Sequence, residues 1–363
     1  MINKYGKIYT NNYYFISKVF LIFSFKLSLL YLIYYFKVKS LLKVGIVGVR
    51  HEVNIGNNLI KYAMSVIISE LGYKPYIIGT VWDKYNNIDF INKRTNLVII
   101  KDNFSEIKTD EYDILIVNSD QTWTKYDQNF YDYGFLKFAE NWTIPRFIYG
   151  ASIGSDNWSF SKKDEEIAKK LLPKFSGISM REKDSIKLIQ KNLGIHPEFV
   201  LDPTFLIDKK YYLDLIDNFK EKINKKRKYI FIYNLVKEQF TVKLMKQASK
   251  ILHLETYYFP LNNNSLVENF LYYIINCDAV ITNSYHGTVF SIIFNKPFIS
   301  IYYRNRKTRV NSLRNLIDSE ERFLRKGENP NYNLLIQPLN IKYEILNKEI
   351  ENSINFIKKN LKK

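Results

Sequence analysis

A histidine followed by a glycine stands at a predicted turn between a strand and a helix. His286 and Gly287 come after the apolar run Ala279–Thr282 and before the apolar run Val289–Phe294. The turn places a titratable imidazole beside the backbone N–H groups of a helix start, where anions bind. Such a turn can hold an anion and transfer a proton. The alternative interpretation is that His286 only caps or packs the turn.

Three further polar turns follow predicted strands. They begin at Asn54, Asp120 and Ser152. In parallel sheets, ligands bind beyond the carboxyl ends of the strands. We therefore expect these turns and the His286 turn to line one cleft.

Strands and helices alternate in two successive sets, which predicts two parallel sheets covered by helices. The length of 363 residues also favours two domains. The predicted fold class is α/β, with two Rossmann-like, doubly wound domains facing a cleft. We place the first domain at 41–200, the second at 201–335 and a basic C-terminal helix at 336–363.

The composition narrows the class of protein. Hydrophobic residues make up 46% of the chain, too many for a disordered protein. The net charge of +18 is accompanied by no nucleic-acid-binding motif, so we expect no nucleic acid partner. The His, Cys and carboxylate residues show no metal-ligand spacing, so no metal is predicted. The single cysteine, Cys277, fits a cytoplasmic location.

Residues 1–40 form a hydrophobic and basic segment with an aromatic run at 13–36. A membrane span needs about 20 mainly apolar residues, and Lys18 and Lys26 interrupt this run. Three interpretations remain open: a helix in the membrane interface, a spanning helix, or a helix packed on the globular body. We favour the interfacial anchor, which predicts a peripheral position on the inner, anionic membrane surface.

Seven separated segments, in consistent order, resemble the polysaccharide pyruvyl transferase family. They are Lys43-Val44-Gly45-Ile46-Val47, Asn54-Ile55-Gly56-Asn57, Ser119-Asp120-Gln121-Thr122-Trp123, Tyr149-Gly150-Ala151-Ser152-Ile153-Gly154, Ser179-Met180-Arg181-Glu182, Asp202-Pro203-Thr204-Phe205 and Thr282-Asn283-Ser284-Tyr285-His286-Gly287-Thr288-Val289-Phe290-Ser291. The resemblance spans residues 43 to about 305 and leaves out both ends of the chain.

The resemblance implies a GT-B-like fold and a defined chemistry. Characterised members transfer a pyruvyl group from phosphoenolpyruvate (PEP) to sugar hydroxyls, usually as a cyclic ketal, and release phosphate. It implies PEP as donor substrate, no further cofactor, and a glycan or lipid-linked sugar as acceptor.

The family motifs suggest roles for the residues around PEP. His286 is the predicted general acid, since an imidazole titrates near neutral pH. Arg181 is predicted to hold the phosphate or carboxylate of PEP, with a surface ion pair to Glu182 or Asp184 as the alternative. Gly287 and Thr288 would add backbone N–H donors.

Ser284 departs from the family pattern. Some members carry an arginine at this position, two residues before the motif histidine, and its loss puts the donor in question. The next strand is followed by three arginines that could replace this contact with PEP, namely Arg304, Arg306 and Arg309. We favour a solvated basic loop for them.

The first domain supplies the predicted acceptor side. Asp120 accepts the proton of the attacking hydroxyl or orients the sugar, with a structural Asx-turn as the alternative. The remaining predicted substrate contacts are Gln121, Ser152, Asn54, Gly56 and Asn57. The last three could contact either the acceptor or the donor, and helix capping is the alternative for them. Asp202-Pro203-Thr204 is predicted to be structural.

Two other functions remain open on the same fold. One is a GT-B glycosyltransferase that uses a nucleotide-sugar donor. The other is a non-catalytic, glycan-binding component of a polysaccharide assembly complex.

Overall fold

Two parallel sheets organise the described part of the chain. The computed structural model describes residues 41–49, 54–80, 96–100, 104–125, 129–217, 228–236, 239–261 and 267–362. The expected N-terminal helix within residues 1–40 lies outside these ranges. Among the described helices, none combines the length and apolar character that crossing a membrane requires.

The first sheet contains seven strands. They are β1 (Lys43–Val47), β2 (Lys74–Thr80), β3 (Asn96–Ile100), β4 (Ile114–Val117), β5 (Arg146–Ala151), β6 (Gly177–Met180) and β7 (Glu198–Phe199). All neighbours pair in parallel, in the order β3-β2-β1-β4-β5-β6-β7. The order reverses between β1 and β4, which leaves a crevice beyond their carboxyl ends.

The second sheet contains five strands. They are β8 (Tyr229–Tyr233), β9 (Glu255–Tyr258), β10 (Ala279–Thr282), β11 (Phe298–Tyr302) and β12 (Phe323–Arg325). The order is β12-β11-β10-β8-β9, again all parallel. It reverses between β8 and β10, so this sheet has its own crevice. The predicted α/β class with two parallel sheets is confirmed.

The described part of the chain contains ten α-helices. They are α1 (Ile55–Glu70), α2 (Phe130–Phe135), α3 (Lys162–Leu171), α4 (Lys183–Leu193), α5 (Lys209–Asp214), α6 (Gln239–Leu252), α7 (Val267–Asn276), α8 (Tyr285–Ile293), α9 (Lys307–Arg314) and α10 (Tyr343–Leu361). Local sequence determines where several of these helices begin or end. Ser161 and Asp164 form a capping box before α3, and Gly194 ends α4 with a φ of 70°.

One hydrophobic core joins the two sheets. It contains residues that face inward from both, such as Ile46 of β1 and Phe231 of β8. Tyr212 and Phe290 pack edge to face across the junction, with ring centroids 5.0 Å apart. Residues 43–363 form one compact unit. The domain boundaries at 200 and 335 stay predictions.

The last helix returns to the first sheet. Phe356 of α10 packs against Phe147 of β5 at 6.1 Å between ring centroids. Ser353 accepts a hydrogen bond from the backbone N–H of Leu201 at 2.9 Å. Helix α10 therefore supports the segment that leads from β7 to Asp202.

Candidate active site

Asp120 lies directly beyond β4, at the crevice of the first sheet. Its φ of 111° is unfavourable for a residue other than glycine, at a cost of about 1–3 kcal/mol. One carboxylate oxygen accepts the N–H of Gln121 at 2.8 Å, and the other accepts the side-chain N–H of Asn57 at 3.1 Å. These bonds, with a backbone bridge to Ala151, hold the strained residue. The carboxylate is aimed at Arg181 as a result.

Arg181 follows β6 and binds three carboxylates. Its fully buried guanidinium donates to Asp202 at 2.8 Å, to Asp120 at 3.1 Å and to Glu182 at 3.1 Å. Its carbon Cζ lies 4.4 Å from the ring centroid of Tyr285. Burial alone would lower the pKa of Arg181, but the carboxylates raise it well above its ordinary value. We refer to Arg181, Asp120, Asp202 and Glu182 as the buried charge cluster.

The pKa values of two carboxylates in this cluster shift in opposite directions. Burial raises the pKa of Glu182, and its Oε2 is buried without a hydrogen-bond partner among the described residues. Burial also acts to raise the pKa of Asp202, but the imidazole of His286 and the charge of Arg181 lower it overall. Asp202 is further fixed by Thr204, whose hydroxyl donates to it at 2.7 Å. Asp202 is thus a stable carboxylate, whereas Glu182 binds a proton more readily.

His286 stands in the first turn of α8, and its side chain meets the buried charge cluster. Its Nε2 lies 3.5 Å from Oδ2 of Asp202, and the residue is 3% exposed. Its Nδ1 faces Gly56 of α1, where any Cβ would overlap the imidazole ring. The imidazole is therefore held between turns that belong to different sheets.

The Asn54 turn places two of its three predicted residues at the cluster. Asn54 caps α1 by accepting the N–H of Asn57 at 3.4 Å. Gly56 provides the space for His286, and Asn57 bonds Asp120. Asn54 therefore caps the helix, whereas its neighbours Gly56 and Asn57 contact the site residues.

Gly287 and Thr288 do not present their N–H groups to the crevice. Gly287 donates to the hydroxyl of Ser284 at 3.4 Å, and Thr288 donates to its carbonyl at 3.2 Å. Ser284 is the N-cap of α8. The predicted pair of backbone anion donors is thus occupied by the cap.

Gln121 and Ser152 lie together beside Gly154. The hydroxyl of Ser152 accepts the N–H of Gly154 at 3.0 Å. A Cβ on Gly154 would meet the side-chain amide of Gln121. Both residues shape the loop beyond β5, and the structure gives neither a contact with His286.

The sequence analysis assigned Asp202 a structural role, which stays a prediction. It considered Glu182 only as a partner in the alternative surface ion pair of Arg181, and it did not single out Tyr285. Arg309 was expected in a solvated loop, but its Nε is buried. The strand-end position of Asp202 was a signal that could have identified it.

Comparisons with known proteins agree with this architecture. The model of the family described as polysaccharide pyruvyl transferase matches residues 54–305. No curated protein gives a significant match. The structure of UDP-GlcNAc 2-epimerase from Neisseria meningitidis bound to UDP-GlcNAc is 12% identical, with a TM-score of 0.50 over 86% of this chain and 93% of that chain.

A second solved structure, the S. aureus MnaA–UDP complex, is also similar. It is 13% identical, with a TM-score of 0.50 over 86% of this chain and 90% of that chain. At these identities the likeness concerns the fold alone, and it confirms the expected GT-B-like architecture.

Proposed function

Because the chain belongs to the polysaccharide pyruvyl transferase family, we propose that it transfers a pyruvyl group from PEP to a sugar. The acceptor is a hydroxyl of a cell-surface polysaccharide or of its lipid-linked precursor, and phosphate is released. The observation that carries this proposal is the pairing of Asp202, beyond β7 of the first sheet, with His286, which lies at the crevice of the second sheet. Ligands of doubly wound sheets bind at such crevices.

The reaction needs one proton donor and two proton acceptors in sequence. A proton added to the methylene carbon of PEP makes a methyl group and leaves positive charge on the adjacent carbon. A sugar hydroxyl attacks that carbon and loses its proton. A second hydroxyl of the same sugar then displaces phosphate and loses its proton, which gives the cyclic ketal.

His286 is the residue that best fits the proton donor. Asp202 lies 3.5 Å from its Nε2 and its own pKa is lowered, so it is a carboxylate that can orient the imidazole. After the first step, the neutral imidazole can accept the hydroxyl proton. Asp120, held by Asn57 on the acceptor side, is the proposed second base.

Arg181 acts mainly as a positioning residue in this proposal. Its guanidinium fixes Asp120 and Asp202 relative to each other. Direct contact between Arg181 and PEP, as predicted from the sequence, would require one of these carboxylates to move away. The buried imidazole also implies that substrate enters while the two turns around His286 are apart.

A second candidate function is glycosyl transfer from a nucleotide sugar. It is favoured by the two solved structures of similar fold, whose titles name UDP-GlcNAc and UDP as ligands. The same carboxylate–imidazole pair would then deprotonate the acceptor hydroxyl.

The deciding experiment measures which donor is consumed. The full-length chain is incubated with PEP, or with UDP-sugars, and with oligosaccharides that carry two neighbouring free hydroxyls. Inorganic phosphate and UDP are quantified. We expect acceptor-dependent phosphate release from PEP, abolished in His286→Gln and retained in the control His196→Gln, which changes an exposed histidine.

Two outcomes would overturn the proposal. Acceptor-dependent UDP release without phosphate release from PEP would establish the glycosyltransferase. Binding of oligosaccharide with neither donor consumed would indicate the non-catalytic glycan-binding component.

We further propose that the protein acts at the cytoplasmic face of the membrane. The net charge of +18 and the aromatic, lysine-bearing run at 13–36 support attraction to anionic lipid. The full chain should float with vesicles that contain anionic lipid, and a chain of residues 41–363 should not. Equal flotation of both chains would contradict an anchor in residues 1–40.

A further inference from the structure

A small cavity opens beyond the carboxyl ends of β10 and β11, separate from the buried charge cluster. Its volume is about 30 Å³, roughly twice what one water molecule needs, so it suits one small polar group rather than a whole substrate. The residues that matter here are Asn283, Ser284, Tyr285, Tyr303, Arg306 and Arg309. Tyr285 connects this cavity to the buried charge cluster, because its ring lies against both Arg181 of the cluster and Arg309 of the cavity.

Arg309 lacks the hydrogen bonds that other buried guanidinium groups make. Arg181 donates to carboxylates, whereas Arg146 and Arg322 donate to backbone carbonyls. The Nε of Arg309 is buried without a partner among the described residues, and its ring contact is with Tyr285, 5.4 Å from Cζ to the centroid. Arg309 as a residue is half-buried, and a buried N–H donor without an acceptor is costly unless a ligand supplies one.

The surroundings of Arg309 favour an anion as that ligand. Burial lowers the pKa of Arg309, which a bound anion would reverse. Glu182 is close enough to influence Arg309, and burial raises the pKa of its carboxyl.

Two further features of the cavity suit an anion. Arg306 is exposed on the short 3₁₀ turn Arg304–Arg306 and adds a second guanidinium to the lining. The N-terminus of α8, capped by Ser284, contributes the positive end of its dipole. Arginine pairs match the geometry of phosphate oxygens.

The position of Arg309 is fixed by the first sheet. Asp156, in the loop beyond β5, caps α9 by accepting the N–H groups of Lys307 at 3.0 Å and Thr308 at 2.8 Å. The hydroxyl of Thr308 donates to the same carboxylate at 2.8 Å. Arg309 stands in the first turn of α9, so Asp156 fixes its backbone position, and its guanidinium lies against the ring of Tyr285.

We propose that this cavity is an anion subsite in which Arg309 and Arg306 bind the phosphate group of the donor substrate. The identity of the donor as PEP rests on the proposed function. The chemistry of the subsite does not, because the diphosphate of a nucleotide sugar presents similar oxygens. The subsite would supply the arginine contact whose expected position is occupied here by Ser284.

The test compares ligand affinities of matched variants of the full-length chain. Calorimetric titrations use inorganic phosphate, PEP and UDP. In Arg309→Gln we expect phosphate affinity to fall at least tenfold, since charged hydrogen bonds of this kind change affinity by about 10- to 100-fold. Arg304→Gln, on the same turn but outside the cavity lining, should leave affinity within about twofold of wild type.

Folding does not confound this test. Arg309 makes no hydrogen bond to the described residues, so Arg309→Gln should melt at the same temperature as wild type or higher. Arg309→Lys keeps the positive charge but lacks the planar guanidinium that can bind two phosphate oxygens at once. It should therefore recover only part of the affinity.

The outcomes separate the subsite from the proposed reaction. If UDP binds through Arg309 and PEP does not bind, the subsite stands and pyruvyl transfer fails. If PEP is consumed with an unchanged KM in Arg309→Gln, pyruvyl transfer stands and the subsite fails. Phosphate affinity that is equal in wild type and Arg309→Gln, or undetectable in wild type, would also overturn the subsite.

Discussion

Asp202 and His286 belong to different sheets, and their side chains meet at 3.5 Å. Asp202 lies beyond β7 of the first sheet, whereas His286 begins α8 after β10 of the second. The pair therefore exists only when the sheets are together. Any displacement between the sheets separates the proposed proton donor from the carboxylate that orients it.

Asp202→Asn should impair both stability and activity. The change leaves Arg181 and His286 without their shared negative charge, and removing one partner of a buried ion pair costs about 3–5 kcal/mol. Urea unfolding at neutral pH measures the loss. Phosphate release from PEP should fall by about 100-fold or more. Asp208→Asn, which removes an exposed carboxylate but keeps a side-chain oxygen to cap the short helix α5, is the control.

The stability difference for Asp202→Asn should also depend on pH. The folded state lowers the pKa of Asp202, so its contribution to stability is present above its unfolded pKa of about 3.9 and is lost as pH falls through the folded value. Wild type and variant should converge in acid. A difference that persists undiminished at the lowest pH at which both fold would show that charge is not the cause.

Glu182→Gln should have the opposite pH dependence. Burial raises the pKa of Glu182, so wild-type stability falls, relative to the variant, as pH rises from about 4.3 through the folded pKa. The glutamine carbonyl can still accept the bond from Arg181. Unfolding free energies across this range should therefore show equal stability in acid and a variant that is at least as stable at neutral pH. A wild-type advantage that grows with pH would contradict the assignment.

Gly56→Ala tests the close packing of the Asn54 turn against the imidazole of His286. The added methyl would overlap the imidazole ring, so the two turns must move apart. We expect a lower melting temperature and loss of turnover. Gly48→Ala is the matched control, because its Cβ would lie 3.7 Å from Lys61, an ordinary van der Waals contact. Equal activity of both variants would show that this close packing is not needed for catalysis.

Ser353→Ala tests the support that α10 gives to the site. Without the hydroxyl, the buried N–H of Leu201 loses its acceptor, at a cost of about 1–3 kcal/mol. Leu201 precedes Asp202, so the KM and kcat for PEP should change together with stability. Asn352→Ala, exposed on the same helix, should change neither.

The alternation of strands and helices could be predicted from the sequence because each element carries its own signal. Apolar runs mark the strands, and the polar turns after them mark strand ends, so His286 and Asp120 were placed at crevices. The family motifs also indicated the GT-B-like fold. These are local properties, and local sequence encodes them.

The environment of Arg181 could not be predicted in the same way. Its partners Asp120 and Asp202 lie far away along the chain, and only the strand order brings them together. From the sequence alone, Arg181 and its neighbour Glu182 are equally compatible with an ion pair at the surface. Similarly, Asp156 caps α9, the helix that carries Arg309, from the loop beyond β5, and that contact joins residues about 150 positions apart.

The return of α10 to the first sheet has a consequence for how such chains diversify. Both flanks of the segment Tyr229–Arg325 belong to the first sheet, so this segment is an insertion in topological terms. Recombination at two junctions would exchange it whole. A new insert would bring its own counterparts of His286 and Arg309 to an unchanged Arg181 and Asp202. The residues of the proposed donor side and those of the proposed acceptor side are thus encoded on separable pieces of one gene.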